Sequence, residues 1–292
     1  MPQIAANGIT LEVERYGDEG APPLLLIMGL GAQLTLWPME LVEALVGHGY
    51  HVIRYDNRDI GLSHKFEEAG VPEIPAIVGA MMSGQTPDVP YTLSDMAADA
   101  AALLDALGID SAHVVGGSMG GMIAQLVAVN HPEKVKSLTS IFSTTGNRDL
   151  PPAKPEAMAA LLGRPSDGDL ETLVAAAINT ARAIGSPGYP APEERIRANA
   201  LRDIQRSFYP QGMARQFAAV VADGDRRERL KSVTAPTLVI HGEDDPLVPV
   251  EGGHDTAAHI AGAKLHIIPG MGHDLPLELA EEIAAAIAAH AR

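Results

Sequence analysis

The chain has 292 residues, 46% of them hydrophobic, which is enough to bury a large core. Its 21 Lys and Arg stand against 37 Asp and Glu, a formal charge of -16. That balance repels nucleic acid and anionic membranes, and no basic cluster interrupts it. Cysteine is absent, which removes disulfides, thiolate nucleophiles and Cys-ligated zinc together. The N-terminal stretch lacks a basic segment followed by an apolar one, and "LLLIM" is far too short to span a bilayer. A soluble cytoplasmic protein with no nucleic-acid or membrane partner is expected, and nothing in the sequence sets an oligomeric state.

In chain order, "ITLEVERYG" alternates apolar Ile9, Leu11 and Val13 with polar residues, which predicts a half-exposed strand at a sheet edge. The runs "PLLLIMG", "HVIRYD", "AHVVGG", "KSLTSIF", "PTLVIHG" and "KLHIIPG" are continuously apolar, as strands buried on both faces are. Helical patterns lie between them. "WPMELVEALVGHG" opens on Pro38 and stops at Gly47 or Gly49. "TLSDMAADAAALLDALGI" has Thr92 or Ser94 as its cap and ends at Gly108. "MIAQLVAVNHP" and "PLELAEEIAAAIAAHA" complete the set. Strand and helix alternate to about residue 140 and again after Thr237, which predicts a doubly wound α/β sheet.

The middle differs. From 146 to 230 prolines recur, helix formers dominate and no good strand run occurs. The predicted organisation is a core of residues 1–145 and 231–292 with a helical insertion over 146–230. Residues 63–92 are long for a connection, so a functional loop or short helices are expected there. The chain has no internal repeat, no GxxxxGK[ST] phosphate loop and no GxGxxG fingerprint.

Gly116-Gly117-Ser118-Met119-Gly120 matches G-x-S-x-G, with an apolar strand before it and a helix after it. In that context the serine sits on a sharp strand-to-helix turn, and the glycines allow strand and helix to approach closely. The new helix points free N–H groups at the same place, so the Met119 N–H is a donor for a developing oxyanion. A serine hydroxyl is a weak nucleophile and needs a base and an orienter, here expected in the order Ser, acid, His. "PTLVIHGEDDPLVP" offers Glu243, Asp244 and Asp245 just after a strand, with Asp245 favoured and the other two read as solvated or turn-stabilising. Of eleven histidines, His273 alone follows a strand on a Gly-Met-Gly turn near the chain end; His64 is a weaker rival, and His241 and His266 read as structural. A second oxyanion donor is expected from "LLLIMGLGAQ", where Gly29 and Gly31 free the backbone around the Leu30 N–H.

These residues resemble the α/β-hydrolase superfamily over nearly the whole chain. "GGSMGG" is similar to its nucleophile elbow, "HGEDDPLVP" to its acid loop and "PGMGHDLP" to its histidine loop. "YDNRDIGLS", with Asp56, Arg58, Gly61 and Ser63, is similar to a structural turn of that family. Within it the chain resembles the esterase branch that includes aclacinomycin methylesterase and is akin to cofactor-free haloperoxidases and perhydrolases. One departure is Met28-Gly29 where the family usually has His-Gly. The resemblance implies that 146–230 forms a helical cap over the site. It also implies acyl transfer from a small-molecule ester through Ser118, His273 and Asp245, with Leu30 and Met119 amides on the oxyanion and no cofactor or metal. A Ser nucleophile argues against epoxide hydrolases and haloalkane dehalogenases, which use Asp. Perhydrolysis, C–C or amide cleavage by the same residues, and a non-catalytic ligand receptor, are the competing readings. Met81, Met82, Met158, Phe208 and Met213 are candidate pocket walls.

Overall fold

The computed structural model describes residues 3–291. Eight strands form one sheet: β1 (Gln3–Ala6), β2 (Ile9–Tyr16), β3 (Pro23–Ile27), β4 (His51–Tyr55), β5 (Ala112–Gly117), β6 (Val135–Ile141), β7 (Thr237–Gly242) and β8 (Lys264–Ile268). Their spatial order is β1-β2-β4-β3-β5-β6-β7-β8. β1 to β2 and β2 to β4 are antiparallel, and every later pair is parallel.

The continuous apolar runs are the parallel strands, and β3 shows why. Leu25 and Ile27 enter one core cluster, while Leu24 and Leu26 enter another on the opposite face. Helices α3 (Leu93–Ala106) and α4 (Met119–Asn130) cover the first face; α1 (Met39–Gly47) and α11 (Ala280–His290) cover the second. A strand with helices on both sides has no polar face to show. Thr92 caps α3, with Asp95 returning the bond in a capping box, and Pro38 precedes α1.

The alternating run is β2, and it is not the edge strand. β1 pairs outside it through a two-residue turn at Asn7-Gly8, both with positive φ, 48° and 75°. Asn-Gly is a strong hairpin signal, because a turn with two left-handed residues matches the twist of the strands. The polar residues of β2 are accordingly engaged: Glu12 is buried, and Glu14 accepts two hydrogen bonds from Arg54 of β4 at 2.6 and 2.9 Å.

Between β6 and β7 come α5 (Pro155–Leu162), α6 (Leu170–Ile184), α7 (Glu193–Arg206), α8 (Pro210–Asp223) and α9 (Arg227–Leu230), with no strand among the described residues. The 63–92 stretch contains a 3-10 turn, Glu67–Ala69, and helix α2 (Ile74–Met82), which packs on α8. The remaining helix, α10 (Glu251–His259), returns the chain to β8. Among the described residues no helix is long and apolar enough to cross a membrane.

Candidate active site

Ser118 stands between β5 and α4 with φ 57° and ψ -122°, a backbone region that L-residues rarely occupy. The surroundings force it there. A Cβ on Gly116 would lie 2.0 Å from the Gly120 carbonyl oxygen, and one on Gly120 would lie 2.0 Å from the Ile27 oxygen. Only bare backbone lets strand β5, helix α4 and strand β3 meet this closely. Ser118 N–H donates to Ile141 O at 2.9 Å, and Ser143 Oγ donates to Ser118 O at 2.8 Å, so both of its peptide groups are held.

The loop after β7 brings Asp245 behind the site. Its Oδ1 accepts from the Leu247 and Val248 N–H groups, each at 2.8 Å. Its Oδ2 accepts from His273 Nδ1 at 2.7 Å. An ionised carboxylate only accepts, so the imidazole proton sits on Nδ1 and the Nε2 lone pair is free. Ser118 Oγ donates to that Nε2 at 2.9 Å. The carboxylate is buried, and the Phe142 ring lies against the imidazole with centroids 4.8 Å apart. Ser118, His273 and Asp245 are therefore brought into one hydrogen-bonded chain.

The rivals lie elsewhere. Glu243 and Asp244 are exposed, and Asp244 Oδ2 accepts from Gly270 N–H at 3.0 Å. His64 packs edge-on against Phe66 in the turn after β4. His241 is buried under the acid loop, where Nε2 donates to Val248 O at 2.8 Å. Burial pushes the His241 imidazole below the ordinary histidine range.

The Met28–Ala32 loop borders the serine: a Cβ on Gly29 would sit 3.0 Å from Ser118 Cβ and 3.5 Å from its Oγ. Among the described residues, the N–H groups of Leu30 and Met119 have no hydrogen-bond acceptor. Leu30, Met158, Ile184 and Met213 pack against a small buried cluster of Ala157, Leu161 and Leu247, and together they form an apolar wall. Of the candidate wall residues, Met158 and Met213 belong to it. Met82 is 79% exposed, Phe208 is 42% exposed, and Met81 contacts Arg148. A cavity of about 340 Å³ adjoins the wall, bordered by Arg148, Met158, Leu247 and Val248. Among the described residues no group of three or more His, Asp or Glu could hold a metal ion.

Several side chains that support the site carry no signal in the sequence. Ser143 pins the elbow. Asn57 Nδ2 donates to Met28 O at 2.8 Å, and Gln216 Oε1 accepts from Gly31 N–H at 2.9 Å. Ser186 Oγ accepts from Gly272 N–H at 2.8 Å and hydrogen-bonds Asp274, while His273 N–H donates to Ile184 O at 2.8 Å. Burial raises the Asp274 carboxyl above its ordinary range. Of these, Asn57 lies in the motif "YDNRDIGLS" and Asp274 in "PGMGHDLP", whereas Ser143, Ser186 and Gln216 lie in none.

A family description of the alpha/beta hydrolase fold matches residues 22–279. The chain is 31% identical to rhodomycin D methylesterase DauP of Streptomyces sp. (strain C5), over 99% of this chain and 97% of that one. It is 26% identical to 3-oxoadipate enol-lactonase 2 of Acinetobacter baylyi, over 91% of this chain and 87% of that one. Among solved structures, an esterase from Exiguobacterium antarcticum superposes with a TM-score of 0.75 at 21% identity, covering 99% of this chain and 98% of that chain. Sheet order, elbow and full-length similarity agree, and the chain belongs to the alpha/beta hydrolase fold family.

Proposed function

We propose that this chain hydrolyses carboxylic esters through an acyl-enzyme on Ser118. One observation carries the reading: the unbroken hydrogen-bond chain from Ser118 Oγ through His273 to the buried carboxylate of Asp245. Ser118 Oγ attacks the ester carbonyl carbon as His273 Nε2 takes its proton. The carbonyl oxygen becomes an oxyanion and is met by the Leu30 and Met119 N–H groups. Asp245 holds the imidazole in the reactive tautomer and stabilises its charged form. The tetrahedral centre collapses, the C–O bond to the alcohol breaks, and His273 returns the proton to the leaving oxygen. Water then attacks the acyl-enzyme with His273 as base again, releasing the acid and restoring Ser118.

The similarity to a methylesterase supports an ester of a carboxylic acid, and the wall of Leu30, Met158, Ile184, Met213 and Leu247 suits an apolar portion of that substrate. In this reading α5 to α9, within residues 146–230, form a cap over the reaction centre. Its attachment supports this: Lys154 N–H donates to Pro246 O, and Gly188 N–H to Gly270 O, at 2.8 and 2.9 Å. These bonds tie the helices to the acid and histidine loops.

The test is release of p-nitrophenol from short-chain esters, combined with labelling by a p-nitrophenyl phosphonate. One adduct per chain on Ser118 is expected, with turnover lost in Ser118→Ala and the melting temperature retained. A label on Ser63 or Ser143, or Ser118→Ala turnover within tenfold of the parent, overturns the reading.

A further inference from the structure

The turn that carries the Leu30 amide is held by a side chain from outside the sheet. Gly29 O accepts from Ala32 N–H at 3.3 Å, which closes residues 29–32 as a β-turn. Gly31, third of the four, has φ 66°, the sign that a type II turn requires at that position. Its N–H belongs to the central peptide of the turn and donates to Gln216 Oε1 at 2.9 Å. Gln216 Nε2 in turn donates to Arg58 O at 2.9 Å. The Gln216 side chain is fully buried, and both ends of its amide are used. Three residues earlier on α8, Met213 packs so closely that a Cβ on Gly31 would lie 2.9 Å from its Cγ and Sδ. The start of the loop is held separately, through Asn57 and Met28 O.

Type I and type II turns differ by rotation of the central peptide, which reverses its N–H. An acceptor fixed on one side selects one of the two. Gln216 supplies that acceptor, and its bond to Arg58 O fixes where the acceptor stands. The second residue has the same φ in both forms, so what the tie contributes to Leu30 is rigidity: the turn that carries its N–H is held in place where Gly29 meets Ser118.

We propose that Gln216 is a positioning residue for ester hydrolysis: from α8 it anchors the Gly29–Ala32 turn and so holds the Leu30 N–H in place for the oxyanion. The inference rests on the reading of Ser118 and Leu30 given under Proposed function. It places part of the oxyanion site under the control of a helix that lies between β6 and β7 in the chain. Docking of α8 and formation of the oxyanion site become one event.

The experiment compares the parent with Gln216→Met and Gln216→Glu on one p-nitrophenyl ester. Met matches the length of Gln and offers no acceptor. Its kcat is expected to fall about a hundredfold with KM within about threefold, because a misaimed oxyanion donor weakens the transition state more than the substrate complex. Affinity for a trifluoromethyl ketone, which forms the oxyanion on Ser118, should fall by the same factor. At pH 6 the buried carboxyl of the Gln216→Glu variant keeps its proton, offers its carbonyl to Gly31 and its O–H to Arg58 O, and is expected to hold kcat within about tenfold of the parent. Gln216→Met with parental kcat, or with kcat reduced but ketone affinity unchanged, overturns the proposal. If Gln216→Met does not fold, Gln216→Glu decides alone. Its kcat relative to the parent should drop between pH 6 and 9 as the donor to Arg58 O is lost, and a constant ratio overturns the proposal. Ser118→Ala run alongside separates the two levels. If it stays active, the acyl-enzyme reading has failed; if it is inactive while Gln216→Met is not, only the role of Gln216 has failed.

Discussion

Two loops at the same end of the sheet bury carboxylates and use them differently. The loop after β7 places Asp245 against two backbone N–H groups and one imidazole. The turn after β4 places Asp56 and Asp59 against arginines. Asp56 accepts from the Leu34 and Leu62 N–H groups and from Arg206 of α7. Asp59 accepts from both Nε and Nη2 of Arg215 on α8, from Tyr91 and from Phe66 N–H. Burial pushes both carboxyls of this turn up. For Asp56 that effect wins, while the hydrogen bonds of Arg215, Phe66 and Tyr91 bring Asp59 below the ordinary range. Arginine is always charged, so these pairs are permanent ties between the sheet and helices α7 and α8. Histidine can gain and lose a proton, so Asp245 faces a partner whose charge can change during a reaction. In the proposed reaction the partner, more than the carboxylate, is what separates a structural loop from a chemical one.

Asp245→Asn should give the larger effect, and on rate alone. The amide oxygen can still accept from Leu247 and Val248, so the loop survives. The amide NH₂ would face Nδ1, which must then carry the lone pair, leaving a proton on Nε2 where Ser118 needs an acceptor. Loss of the corresponding acid in a well-studied serine protease costs about 10⁴ in turnover, and a fall of roughly a thousandfold or more in kcat is expected here. The measurement is kcat on a fast ester with melting temperature in parallel; kcat within tenfold of the parent contradicts the assignment.

Arg215→Met should act in the opposite way. It leaves Asp59 buried and unpaired, and breaking such a pair costs roughly 3 kcal/mol or more of stability. Urea unfolding is expected to show that loss, and the double variant Asp59→Asn/Arg215→Met to recover most of it. If the single and double variants are equally unstable, the ion pair is not what ties α8 to this turn.

The contrast also explains what could be read from sequence. Glycine spacing around Ser118, the strand before it and the helix after it are local, and each reports a steric demand of the backbone. The three positions chosen from the elbow, acid and histidine loops meet in space because each follows a strand of one parallel sheet, and such strands end at the same edge. Arg206, Arg215 and Gln216 had no such signal. They read as ordinary residues of amphipathic helices, and their partners Asp56, Asp59 and Gly31 lie 150 or more positions away. The edge strand escapes the sequence reading for a different reason. β1 is four residues long, and its one clear sign, Asn7-Gly8, lies in a turn rather than in a hydrophobic period.

Within the acid loop, Asp244 and Asp245 are adjacent and of the same chemistry, and the smallest effect is expected at Asp244. Its side chain is exposed and caps the Gly270 N–H at 3.0 Å, a bond that an amide oxygen can take over. The acid loop is tied to the histidine loop by backbone: Glu243 N–H donates to Ile268 O, and Asp244 N–H to Met271 O, both at 3.0 Å. Side-chain substitution leaves those bonds in place. Asp245 points inward instead, because its Oδ1 is fixed by the Leu247 and Val248 N–H groups of the turn that Pro246 opens, and Pro246 restricts the Asp245 backbone to extended conformations. Asp244→Asn and Glu243→Gln are therefore expected to keep kcat within about tenfold and to change stability by less than about 1 kcal/mol. A loss at Asp244 equal to that at Asp245 would mean that the charge of the loop, rather than one carboxylate aimed at Nδ1, supports His273. The hydrogen bond from His273 to Asp245 would then be a structural contact only.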